Sequence, residues 1–139
     1  MAITVLTNAF ISINGVNLSD HVSKVTCEDT RDQVDITAMG ATNKAYTKGL
    51  GDGKVTVDFF QDFAASKVHS TVQPLLGSTT GITVEVRADS AARSATNPAF
   101  LMTGLPFNYN MLDGSVGDAS SMSVEFVNTS QTGITYPTS

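Results

Sequence analysis

The sequence of 139 residues contains no tryptophan and a single cysteine, Cys27. One cysteine cannot form an internal disulfide or a four-thiolate zinc site. Without Trp, and with only Tyr46, Tyr109 and Tyr136 as phenols, the chain lacks the exposed aromatic platform of carbohydrate-binding β-sandwich modules. Charge is scarce too, at 15% of residues against a usual quarter or so. Eight basic residues face thirteen acidic ones, giving a net charge of −5, so a strongly basic nucleic-acid clamp is excluded. No run approaches the ~18 consecutive apolar residues of a membrane span, and no membrane partner is expected. The opening MAITVLTNAF has neither a basic n-region nor a long apolar h-region, so no secretory signal is expected.

Hydroxyls occupy the space that charges leave. The chain carries 14 Ser and 18 Thr. A surface poor in charge and rich in hydroxyls suits a protein that other protein covers. The length corresponds to one domain of roughly 150 residues, able to bury about two-thirds of its unfolded surface in one core.

Apolar residues recur with period two. Candidate strands are Ala9–Ile13, followed by the hairpin signal Asn14-Gly15 and a return at Val16–Leu18, then Val22–Glu28, Gln33–Thr37, Lys54–Phe60, Ile82–Arg87, Phe100–Leu105, Phe107–Leu112 and Ser121–Val127. Pro106 separates two of these. The pattern predicts a mainly β fold, a sandwich or barrel of about 7–9 strands. Residues 66–76 break the rhythm. Val68, Val72, Leu75 and Leu76 fall on one helical stripe, with Ser66 as N-cap and Gly77 as stop, so one short flanking helix is expected there. Residues 38–53 read as a long polar, glycine-rich loop of the kind that is functional or ordered by a partner. Residues 1–8 and 128–139 read as terminal arms of a single domain.

Catalytic chemistry finds no support. His21 and His69 lack flanking signatures that would activate a nucleophile. Asp20 and His21 would point to opposite faces of a strand. Cys27 shares the parity of Val25 and reads as a core thiol. Gly49-Leu50-Gly51-Asp52-Gly53 leads into a strand, where a dinucleotide fingerprint would open a helix. Asp113 to Asp118 lacks the ligand spacing of an EF-hand. No enzyme activity, metal or cofactor is expected. Four acids, Asp35, Asp58, Glu85 and Glu125, sit mid-strand on the hydroxyl-bearing faces. They form either a solvated outer surface or a weakly negative wall past which phosphates slide.

The ordered set "ISINGVNLSDHVSKVTCE", "DQVDITAMG", "KVTVDFFQDF", "SKVHSTVQPLLG", "ITVEVRADSAARSATNPAF" and "GSVGDASSMSVEFV" resembles the major tail protein, or tail tube protein, of long-tailed bacteriophages that infect actinobacteria. The resemblance spans roughly residues 9–128. It implies a β-sandwich with a flanking helix, assembled as six-membered rings stacked into a hollow tube around a tape-measure protein. Tail-tip and terminator proteins would be further partners, and DNA would pass through the lumen unbound. The place of action would be the virion tail, assembled in host cytoplasm. On this basis Asp35, Asp58, Glu85 and Glu125 are the lumen-facing candidates. Met39, Tyr46, Lys48 and Leu50 are the candidates for contacts between subunits or rings, three of them being apolar groups in a polar loop. The alternative is another virion structural protein, a head–tail joining or head-decoration protein.

Overall fold

The computed structural model describes residues 3–139. Seven antiparallel strands form one continuous sheet: β1 (Phe10–Ile13), β2 (Val16–Asn17), β3 (Val22–Asp35), β4 (Tyr46–Phe60), β5 (Ile82–Arg87), β6 (Ala99–Asp113) and β7 (Ser121–Asn128). Their order across the sheet is β2-β1-β5-β6-β7-β4-β3. The expected Asn14-Gly15 turn joins β1 to β2, both residues taking positive φ (51° and 81°) as a primed hairpin turn requires.

The sheet folds into two layers at β6. Its first half, Ala99–Gly104, pairs with β5, and its second half, from Gly104 to Asp113, pairs with β7. Pro106 does not divide two strands as the sequence suggested; it lies at a bend within one long strand, next to a register shift between Pro106 and Asn108. Bulges and bends of this kind let a strand pass between packed layers. Gly104 stands at the corner because nothing larger fits: a Cβ there would lie 2.5 Å from the Val127 carbonyl oxygen and 3.0 Å from Met102 Cε. The inward residues of both layers then meet in one core, with Ile11, Ile13, Val84 and Met102 from one side and Val55, Val57, Phe59, Val124 and Phe126 from the other.

Helix α1 (Val68–Val72) continues as a 3₁₀ turn over Gln73–Gly77. It is shorter than the expected helix at 66–76. Ser66 adopts φ 62° outside it, and Lys67 takes the cap position, its N–H donating to Ser70 Oγ at 3.0 Å. Pro74 lacks the N–H that a further α-turn needs, so the chain tightens to 3₁₀ geometry. Val68, Val72 and Leu75 therefore reach the core, whereas Leu76 is rotated into solvent.

The expected loop over 38–53 is also shorter. Residues 46–53 belong to β4 and pair with β3 as far as Asp35–Tyr46, leaving only 36–45 as the connection. Glycines hid this strand, because they carry no apolar alternation. Their partners lie across them instead: a Cβ on Gly51 would meet the Arg31 guanidinium at 2.8 Å, and one on Gly49 would meet Asp32 and Val34 at 3.0 Å. The C-terminal residues are not a free arm either. Leu101 and Thr135 exchange backbone hydrogen bonds (2.9 and 3.0 Å), and Ile134 packs on the core. Residues 3–8 do run along the outside, with Ile3, Val5 and Leu6 exposed, joined to the body by an Asn8–Asp89 bridge; the rest of the expected N-terminal arm lies outside the described residues.

Asp20 and His21 lie in a 3₁₀ turn at Ser19–His21, not on a strand, which lets His21 Nδ1 reach Asp20 at 2.7 Å while Nε2 reaches Asp62 at 2.9 Å. The bonds to Asp20 and then Asp62 raise the His21 pKa above its ordinary 6.5. The Asp20 carboxyl is lowered below 3.8 chiefly by His21, and that of Asp62 by the Ala64 N–H and then by His21.

Two expectations follow from these placements. Gly104→Ala destabilises the fold by about 1–3 kcal/mol through overpacking, while Gly77→Ala, whose Cβ would meet nothing within 4 Å, stays within about 0.5 kcal/mol; chemical denaturation of the two variants compares them. The His21 tie contributes fully below pH 6.5 and is lost as pH rises through its raised value, whereas the carboxylates contribute above 3.8 and lose their share in more acid solution. The melting-temperature deficit of His21→Gln is therefore greatest between these limits. A deficit that grows above neutral pH contradicts this.

Candidate functional site

Beyond Glu28–Lys54, where β4 loses its β7 partner, the β3–β4 ladder leaves the body and continues to Asp35–Tyr46. Seven residues of strand at ~3.3 Å each make an arm of roughly 23 Å. Nearly every arm residue is exposed, and Val34, Ile36, Met39, Tyr46 and Leu50 present apolar side chains to solvent, Leu50 at 82% exposure. The tip is knotted locally. Ile36 N–H donates to Ala45 O at 2.9 Å, Ala45 N–H to Thr37 Oγ1 at 2.8 Å, and Thr37 N–H to Asp35 Oδ1 at 2.9 Å. Asp35 is lowered below the usual carboxylate range by the Thr37 hydroxyl and then by that N–H.

One side-chain hydrogen bond ties the arm to the body among the described residues. Tyr136 Oη–H donates to the Asp29 carboxylate, which also pairs with Arg31. Tyr136 and then Arg31 hold Asp29 below its ordinary pKa, and the same bond raises Tyr136. Tyr136 packs edge-on against Phe100 at 5.7 Å, and Ile134 lies flat on Gly53, where a Cβ would stand 2.9 Å away. Cys27 lines the adjoining recess with Phe100, Ile134 and Tyr136. The residue is exposed at the arm root, so it is no core residue, yet partial burial of the thiol in this recess pushes its pKa up to about 11. The sequence reading missed this latch. Its signal was the alternation Ile134-Thr135-Tyr136 after Gly133.

The outward face of β3, β4, β7 and β6 is polar. Lys24 stands opposite Asp58, Glu28 opposite Lys54, Thr56 between Thr26 and Glu125, and Ser123 between Asp58 and Asn110. Lys54 Nζ lies 3.7 Å from Glu125. Of the four acids singled out above, this face brings Asp58 and Glu125 together, diluted by Lys24 and Lys54. Asp35 is far away at the arm tip. Glu85 belongs to the other layer and is largely covered. Arg93 grips it with Nη2 at 2.9 Å and Nε at 3.2 Å, and Arg87, stacked 3.9 Å over the Phe10 ring, brings its Nε to 3.1 Å without an aligned hydrogen bond. The segment that carries Arg93 is folded down by buried Asn97, whose amide donates to the carbonyls of Asp89 and Ala91 at 3.1 and 3.0 Å.

This polar layer has two unpaired edges. Among the described residues, β3 pairs only with β4, and β6 beyond Gly104 pairs only with β7. The β6 edge carries exposed Phe107, Met111 and Leu112. Tyr109 turns inward to His69 Nδ1 at 2.9 Å and to Gln61 at 3.0 Å, and Phe63 stacks beside His69 at 5.0 Å. Among the described residues no cluster of His, Cys, Asp and Glu is placed to hold a metal.

The chain is similar in fold to a chain of the virion of the native gene transfer agent particle, with a TM-score of 0.71 at 7% identity over 94% of this chain and 95% of that one. A chain from the tail of the empty gene transfer agent particle, refined with helical and C6 symmetry, matches at 0.69 and 7%, covering 94% of both. The SPP1 Dit protein, described as a hub of the adsorption apparatus in phages infecting Gram-positive hosts, matches at 0.53 and 14%; this chain spans about half (51%) of its length. No protein-family model matches the sequence, and no curated protein does. The likeness is one of fold: a mainly β sheet of seven strands with one short helix.

Tyr136→Phe removes the bond to Asp29 while keeping the ring on Phe100. Amide exchange in 28–35 and 46–53 is expected to speed up several-fold, with the core strands unchanged. Uniform exchange across both regions would mean that the ladder alone holds the arm.

Proposed function

We propose that this chain is the structural subunit of a phage-type tail tube, a virion component with no catalytic role. The observation that carries this reading is the four-stranded polar layer, β3-β4-β7-β6, left unpaired at both edges. Exposed strand edges invite pairing, and closure into a barrel is what removes them. The β3 edge of one copy can meet the β6 edge of the next, a heterologous contact that closes into a ring. Six copies would give a barrel of roughly 24 strands, more than the 16–18 that already leave an aqueous channel. The C6 tail in which a similar fold occurs supports that number. The actinobacterial host implied by the resemblance finds no support among these neighbours.

In such a ring the outward polar face becomes the wall of the channel. Asp58 and Glu125 would face the lumen beside Thr26, Thr56, Ser123 and Asn110. Glu28 shares the face, so three acids meet Lys24 and Lys54, and a passing polyanion meets hydroxyls and a weakly negative wall. Glu85, held by two arginines in the other layer, would stay at the outside of the tube, and Asp35 would travel with the arm. A tape-measure protein in the channel and a terminating complex at its end are the partners this arrangement needs. A second reading is a tail hub or baseplate ring, favoured by the likeness to the SPP1 hub and to an anti-feeding prophage baseplate chain (TM-score 0.52, 10% identity).

Negative-stain micrographs of concentrated protein, with and without tail-tip complexes, are expected to show hollow tubes with six-fold averaged end views. Closed rings that never stack would favour the hub. Phe107→Lys with Asn110→Lys, charges on the β6 edge, is expected to leave a folded monomer that forms neither. Undiminished rings from that variant would remove the edge-to-edge contact.

A further inference from the structure

The arm tip and the turn between β6 and β7 lie at opposite ends of the polar layer. β4 runs from Tyr46 at the tip to Phe60, and Phe60 pairs with Ser121, where β7 begins. The tip, residues 36–48, contains Lys44 and Lys48 and no acid. It exposes Ile36, Tyr46 and a fully solvated Met39. The turn, residues 111–118, contains Asp113 and Asp118 and no base. It exposes Met111, Leu112 and a fully solvated Val116. Ion pairs of the chain lie elsewhere among the described residues, so these four charges stand without an internal partner. Each end thus offers apolar groups with two charges, of opposite sign. The two ends cannot meet within one copy, because the whole strand length separates them.

We propose that the basic tip of one copy docks on the acidic β6–β7 turn of a second copy displaced along the strand direction. The proposal rests on the tube reading and names the contact by which one ring seats on the next. Met39 and Tyr46 would cover Met111, Leu112 and Val116, while Lys44 and Lys48 face Asp113 and Asp118. Because the surfaces differ, the contact repeats without closing, which is the property of a filament. Charges at the rim set register and encounter rate and are weakened by salt. A tip that docked on its own kind would bring like charges together, so the same pattern disfavours head-to-head stacking.

Charge reversal tests it: Lys44→Glu with Lys48→Glu, Asp113→Lys with Asp118→Lys, and all four together, compared by sedimentation and micrographs at low and high salt. Each pair alone is expected to cut the polymer yield about tenfold while leaving rings, and the fourfold variant to restore it. Wild-type yield should fall as salt rises. Tubes that form equally well with either pair, or a fourfold variant no better than the pairs, overturn the contact while the tube reading stands. Wild-type protein that makes neither rings nor tubes overturns both. Circular dichroism checks the fold, and should a reversed pair unfold, Lys44→Gln with Lys48→Gln and Asp113→Asn with Asp118→Asn carry the comparison, with a smaller loss expected from each.

Discussion

The pairing of backbone groups along β6 is the constraint on which the rest of the structure depends. A strand of this length cannot remain flat and still serve one core. It turns at Gly104, where the Val127 carbonyl approaches too closely for any side chain, and it changes partners there. That change folds the sheet on itself and brings Val84 and Met102 into the same core as Val57 and Phe126. It also strands the second half of β6 with one neighbour. The free edge is therefore a consequence of how the core closes, and an edge with exposed Phe107 and Met111 calls for something to cover it.

The arm follows from the opposite situation. β3 and β4 have more ladder than core. Past Lys54 no third strand pairs with them, and past Gly53, which still lies against Met102 and Ile134, the hairpin continues on its own hydrogen bonds. A two-stranded ribbon in water is marginal by itself. Asp29, Tyr136 and Ile134 supply the additional hold at its root. The C-terminal residues thus act on the arm although they come more than a hundred positions later.

Much of this was legible beforehand. Strict alternation in Ile82–Arg87 and Ser121–Val127 placed two strands within a residue of where they are, and in Lys54–Phe60 it found the second half of β4; the inward residues of each are buried, Ile82 only partly. The failures have physical causes. Gly49 to Gly53 has no side-chain alternation to read, so its strand shows only through its pairing with Arg31 and Asp32. Ser66 looked like a cap by type, but its backbone lies at positive φ and the cap falls one residue later. Among the acids, parity put Asp58, Glu85 and Glu125 on outward faces correctly, yet only Asp58 and Glu125 share a surface.

What the sequence determined alone is the chemistry of each segment: period-two apolar strands, a hydroxyl-rich and charge-poor composition, a basic apolar stretch at 36–48 and an acidic one at 111–118. These are local properties, set by residue type and spacing. Tertiary structure alone decided which outward faces join, that Arg93 and Arg87 cover Glu85, that Tyr136 reaches Asp29, and that the two charged ends lie at opposite limits of one layer. Each of these depends on strand order and on the turn at Gly104. Both come from long-range pairing, and spacing along the chain carries no record of it.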